Sequence, residues 1–77
     1  MRDFTEIEHR MRLLVASLTG ILSEKERSEA IHFIEHGEYG LALENLKYAY
    51  DKNANLPTKE VLGEMLDLSR KMQMKLN

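Results

Sequence analysis

Hydrophobic residues recur along the chain at the three- and four-residue spacing of an α-helix. In the first segment these positions are Phe4, Ile7, Met11, Leu14, Val15 and Leu18. Such spacing places apolar side chains on one stripe of a helix and leaves the other faces to polar residues. We expect this first helix to close at Gly20, with Arg10 and Arg12 on its solvated side.

A second helix is predicted from its start and stop signals. Ser23 followed by Glu26 is the spacing of a capping box, in which each side chain accepts a hydrogen bond from the other residue's backbone amide. The apolar positions of this helix are Ala30, Ile31, Phe33 and Ile34. Gly37 follows where a left-handed residue would end the helix without a steric penalty.

A third and a fourth helix complete the pattern. The third has the apolar positions Ala42, Leu43, Leu46, Ala49 and Tyr50, and the fourth has Val61, Leu62, Met65, Leu68, Met72 and Leu76. Between them we expect a loop over residues 51–55, with Pro57 and the N-cap Thr58 leading into the fourth helix near Lys59. The sequence therefore predicts an all-α fold: one domain, residues 1–77, folded as a compact bundle of about four short helices.

Size and composition favour a binding protein over an enzyme. A chain of 77 residues buries only about 60% of its unfolded surface, which leaves little volume for a deep catalytic pocket. It contains no cysteine, so neither disulfides nor thiolate metal sites are available. The longest apolar block, residues 13–16, is too short for a signal core or a membrane span. We expect a cytoplasmic protein without enzymatic activity and without contact to a membrane.

Charge is distributed unevenly along the chain, although its net value is only −2. No Lys or Arg occurs from Ser28 to Leu46, and four glutamates lie in that stretch: Glu29, Glu35, Glu38 and Glu44. Phosphate binding needs a basic stripe, so direct binding to nucleic acid is not expected. A compact anionic surface is instead suited to holding a basic protein partner.

Residues 32–36 read His-Phe-Ile-Glu-His, which matches the H-x-x-E-H arrangement of inverted zinc peptidases. In those enzymes two imidazoles one turn apart bind the metal and the carboxylate acts as general base. A catalytic zinc needs a third protein ligand, and His9 is the only other histidine. We therefore expect no metal and no cofactor. His32, His36 and Glu29 should be solvated, where they remain able to face a partner.

The central segment resembles a known family. It runs from Leu-Ser-Glu at residues 22–24 to Phe-Ile-Glu-His-Gly-Glu-Tyr-Gly-Leu-Ala-Leu-Glu at residues 33–44, followed by Leu-Pro-Thr-Lys-Glu at 56–60 and by Met72. Over roughly residues 22 to 74 this resembles the MafI-type immunity proteins, small helical proteins encoded beside polymorphic bacterial toxins. The resemblance implies that the chain binds the C-terminal domain of a secreted or contact-delivered toxin and blocks it. Toxins in such systems are often nucleases, so a basic nuclease domain is the expected partner.

Seven residues are predicted to contact that partner: Glu29, Glu35, His36, Glu38, Glu44, Tyr48 and Asp51. The helical wheel points Glu44, Tyr48 and Asp51 away from the core. Tyr48 is the expected anchor because aromatic residues are common hot spots in interfaces, although it could instead pack beneath the loop over residues 51–55. Two other functions remain open at this point: a helical adaptor with an apolar groove, and a minimal metal-dependent hydrolase.

Overall fold

The computed structural model describes residues 4–53 and 59–74, and within them the chain forms four α-helices and no strand. The helices are α1 (Thr5–Ser17), α2 (Glu24–Glu35), α3 (Tyr39–Lys52) and α4 (Lys59–Lys71). The predicted all-α bundle is therefore confirmed. The predicted N-cap at Thr58 and the last apolar position, Leu76, lie outside the described residues.

The start of α2 is fixed by the predicted capping box. The backbone amide of Glu26 donates to the Ser23 hydroxyl over 3.1 Å, and the backbone amide of Ser23 donates to the Glu26 carboxylate over 2.9 Å. Two amides that the helix itself leaves without partners are satisfied in this way.

The end of α2 is a Schellman turn centred on Gly37, whose φ is +72°. The amide of Glu38 donates to the carbonyl of Phe33 over 2.8 Å, and the amide of Gly37 donates to that of Ile34 over 3.1 Å. A positive φ carries no Cβ penalty at glycine, so the predicted role of Gly37 is confirmed. The turn reverses the chain directly into α3.

Two helix ends differ from the prediction. α1 ends at Ser17, three residues before Gly20. Beyond Ser17 the backbone tightens, since the amide of Thr19 donates to the carbonyl of Ala16, three residues back, over 3.3 Å. α3 continues through Lys52, so the predicted loop over residues 51–55 begins too early. The i,i+4 pair between Lys47 and Asp51, 2.7 Å apart, supports this extra turn.

The core lies on the inner stripes of all four helices. Its fully buried large side chains are Met11, Leu18, Ile34, Leu43, Leu46, Met65 and Leu68. The five apolar positions predicted for α3 are all buried. Helix periodicity alone therefore locates most of the core, because each amphipathic helix has only one face to bury.

Arg10 departs from its predicted place on a solvated face. Its guanidinium forms a bidentate pair with the carboxylate of Glu64 and also reaches Asp67 at 2.8 Å, both on α4. The side chain is only 19% exposed. These three residues form the Arg10 clamp, which ties α1 to α4. The hydrogen bonds raise the pKa of Arg10 and lower the pKa of both carboxyl groups.

Candidate functional site

The candidate site lies on a helical hairpin formed by α2 and α3. The Gly37 turn joins the two helices at one end, called here the corner. At the other end the Lys52 ammonium contacts the Glu26 carboxylate at 3.0 Å. Because residues from the first turn of α2 and the last turn of α3 meet, the two helices run antiparallel and side by side.

Two outward stripes make up one surface of this hairpin. At 100° per residue, positions spaced by three and four share a stripe. The surface, named here the hairpin face, consists of Lys25, Glu29, His32 and His36 on α2 and Leu41, Asn45, Tyr48 and Lys52 on α3. Between the stripes, at the open end of the hairpin, lies a groove of about 420 Å³ lined by Ser23, Lys25, Glu26, Glu29, Asn45, Tyr48 and Lys52.

The open end of the hairpin face is electrically mixed. The Lys52 ammonium lies 5.6 Å from the centroid of the Tyr48 ring, within the distance of a cation–π contact. It also pairs with Glu26. The pKa of Glu26 is lowered mainly by the hydrogen bond from the backbone amide of Ser23, and to a smaller extent by the hydrogen bond from Lys52. Asp51 pairs with Lys47. The predicted anionic surface is thus partly neutralised at this end.

Tyr48 is the most exposed large hydrophobic residue of the described chain, at 68%. Its predicted outward position is confirmed, although the Lys52 ammonium lies over one part of its ring. Leu41 shares its stripe two turns earlier and is 46% exposed. Leu41 is not among the predicted contact residues, although the helical wheel that points Tyr48 outward places Leu41 on the same stripe.

The seven predicted contact residues are all exposed, but they do not lie on one surface. Three of them, Glu29, His36 and Tyr48, lie on the hairpin face. Glu44 and Asp51 lie on its outer edge, and Glu38 occupies the N-cap position of α3 at the corner. Glu35 lies about 100° around α2 from His36, on a different side of the helix. The carboxylates therefore surround the hairpin instead of forming one plane.

His32 and His36 lie side by side, with ring centroids 4.2 Å apart. Both are exposed, as predicted. Throughout residues 4–53 and 59–74, no group of three or more His, Cys, Asp or Glu side chains is arranged to hold a metal ion. Within these residues, no third protein ligand of the kind that a catalytic zinc site uses lies beside the two histidines of the H-x-x-E-H segment.

Among the described helices, none is long and apolar enough to cross a membrane. Comparison of the chain with protein families, with characterised proteins and with solved structures gives no match. The resemblance to the MafI-type immunity proteins therefore stays a prediction.

Proposed function

We propose that this chain is a non-catalytic immunity protein, which forms a stoichiometric complex with the C-terminal domain of a cognate bacterial toxin and blocks it. The observation that carries the proposal is the anionic corner of the hairpin together with exposed Tyr48 and Leu41 on the adjoining face. The sequence resemblance supplies the class of partner, a toxin domain with a basic nuclease groove. On this proposal the chain works in the cytoplasm of the producing cell, without a cofactor.

Charge at the corner supports a basic partner. Glu35 and Glu38 flank the Gly37 turn, and neither Lys nor Arg occurs between residues 28 and 46. Glu44 adds a further exposed carboxylate on α3. Such a distribution raises the rate of encounter with a cationic surface and disfavours partners of the wrong charge, more than it adds raw affinity.

The affinity itself must come from groups that lose water in the complex. Interface energy concentrates in a few buried side chains, most often Trp, Tyr and Arg. Tyr48 offers a whole aromatic ring at the surface, and Leu41 extends the same stripe with an apolar side chain. Together they give the hairpin face a small apolar centre within a polar surround, the usual anatomy of a specific interface.

The test is co-expression with, and binding to, the toxin domain encoded beside this chain. The double variant Glu38→Lys with Glu44→Lys should slow association about tenfold or more at low salt. At about 1 M salt the Debye length falls to about 3 Å, so the difference from the natural chain should nearly vanish. Protection of cells from the toxin should weaken in parallel.

A matched control keeps the change in net charge the same. Glu6→Lys with Glu60→Lys alters two exposed carboxylates on α1 and α4, away from the hairpin face, and should leave association nearly unchanged. If both double variants slow association equally, the association rate depends on the net charge of the chain and not on the position of the carboxylates near the corner. Salt-independent binding would instead favour the adaptor function, and absence of any complex would refute the proposed function.

A further inference from the structure

We propose that His32 and His36 form a surface site for a divalent late transition-metal ion, with Zn²⁺, Ni²⁺ and Cu²⁺ as the ions it would take. The site lies on the hairpin face near the corner. The inference concerns the free chain and does not depend on the proposed function.

Spacing gives the first argument. Residues four apart on a helix are neighbours on its surface, with Cβ atoms about 5–6 Å apart. The two rings here lie in contact, with their centroids 4.2 Å apart and their planes tilted by 42°. A zinc–nitrogen bond is about 2.0–2.1 Å long, so an ion bound to both rings needs one nitrogen of each ring within about 4 Å of the other. Imidazoles one helical turn apart can reach this spacing by rotating about their side-chain bonds.

The hydrogen bond of His36 gives the second argument. Its Nδ1 lies 2.8 Å from the carbonyl oxygen of His32. A carbonyl oxygen can only accept, so Nδ1 carries the proton and the lone pair remains on Nε2. Metal-binding histidines characteristically hold their other nitrogen in this way, because the bond fixes both the ring orientation and the tautomer.

The surroundings of the pair favour a cation. Glu29 lies one turn before His32 on the same stripe, and Glu38 follows His36 at the corner, at the N-cap position of α3. With two protein ligands, the other two positions of a tetrahedral ion stay open for water or for groups of another molecule. This arrangement differs from the hydrolase considered above, since it needs no third protein ligand and no substrate cleft.

The experiment is a calorimetric titration of the untagged, EDTA-treated chain with ZnCl₂, NiCl₂ and CuCl₂, and with MgCl₂ and CaCl₂ for comparison. Imidazole ligands favour the transition metals, and the site should bind Cu²⁺ more tightly than Ni²⁺ or Zn²⁺. We expect one ion per chain, or one per two chains where a second copy fills the open positions. His32→Ala and His36→Ala should each weaken binding at least about tenfold, because even the loss of a group that only hydrogen-bonds to a metal ligand typically costs about that much.

His9→Ala is the matched control, since His9 is an exposed histidine on α1 and its loss should leave the titration unchanged. Circular dichroism of each variant shows whether the helices remain. Bound metal should also raise the melting temperature of the natural chain and of His9→Ala, but not of His32→Ala. Unchanged binding in His32→Ala or His36→Ala, lost binding in His9→Ala, or no binding of Zn²⁺, Ni²⁺ or Cu²⁺ by the natural chain would each overturn the proposal.

Discussion

The Arg10 clamp allows a quantitative test of how α4 is held to the bundle. The perturbation is a double-mutant cycle of Arg10→Met, Glu64→Gln and the two combined. Methionine keeps much of the apolar stem of arginine, and glutamine keeps the shape of glutamate, so the cycle isolates the interaction between the two charged groups.

The expected size of the coupling follows from exposure and geometry. Fully exposed ion pairs contribute about 0.2–1 kcal/mol, whereas hydrogen bonds to charged groups contribute about 1.5–3 kcal/mol. The Arg10 side chain is 19% exposed and that of Glu64 is 36% exposed, so water screens the pair only in part. We expect a coupling of about 1 kcal/mol, equivalent to about 4–8 °C in melting temperature for a domain of this size.

The assay is urea unfolding of the four proteins followed by helical circular dichroism. The exposed pair Arg12–Glu8, 3.1 Å apart within α1, provides a control cycle with an expected coupling of about 0.2–0.5 kcal/mol. A value for Arg10 and Glu64 no larger than the control would refute the argument that partial burial strengthens the clamp.

The same clamp sets a dependence on pH. The Arg10 hydrogen bonds lower the pKa of Glu64 and Asp67 below their ordinary values of 4.5 and 3.8. A carboxyl group with a lowered pKa in the folded state stabilises the fold above its ordinary pKa, and that contribution is lost as the pH falls through the lowered value. Arg10→Met should therefore lose less stability than the natural chain as the pH falls below the ordinary carboxyl pKa values of 4.5 and 3.8.

Two further substitutions test the hairpin itself. Gly37→Ala places a Cβ at a φ of +72° and should lower the free energy of unfolding by about 1–2 kcal/mol; the control Gly20→Ala, where a Cβ meets nothing within 4 Å, should not lower it, and equal effects would remove the argument from φ. Tyr48→Ala should change the free energy of unfolding by less than about 0.5 kcal/mol. On the proposed function it should also weaken binding to the toxin domain by about 2 kcal/mol, roughly 30-fold. A stable complex with unchanged affinity would exclude Tyr48 as the anchor.

Local features of the fold were accessible from the sequence because each depends on a few neighbouring residues. The capping box of Ser23 and Glu26 and the left-handed turn at Gly37 require only the residues on either side. The extension of α3 through Lys52 was also accessible, since Lys47 and Asp51 are four apart and support a helical turn. The loop was predicted from the polar residues at 51–55, and the prediction left out the helical pair of Lys47 and Asp51.

Contacts between helices were not accessible in the same way. Arg10 and Glu64 are 54 positions apart, and the hydrophobic pattern does not specify which residues of α1 and α4 lie opposite each other. The pairing of Lys52 with Glu26 likewise depends on the antiparallel register of the hairpin. For this reason the sequence predicted a compact anionic surface from residues 28–46, and the structure adds the ammonium group of Lys52 at its open end.

The charged part and the aromatic part of the proposed interface lie at different places along the hairpin. Glu35 and Glu38 lie at the corner, whereas Tyr48 lies ten residues beyond Glu38, about 15 Å along the axis of α3. The Gly37 turn joins α2 to α3 at the corner, and the Glu26–Lys52 pair joins them at the other end. The carboxylates at the corner and Tyr48 are therefore held in fixed positions relative to each other. Charge reversal at Glu38 should therefore act on the association rate and truncation of Tyr48 on the dissociation rate. Both rate constants must be measured, because affinity alone does not separate the two effects. If both substitutions change the same rate constant, the corner and Tyr48 do not have the separate roles proposed here.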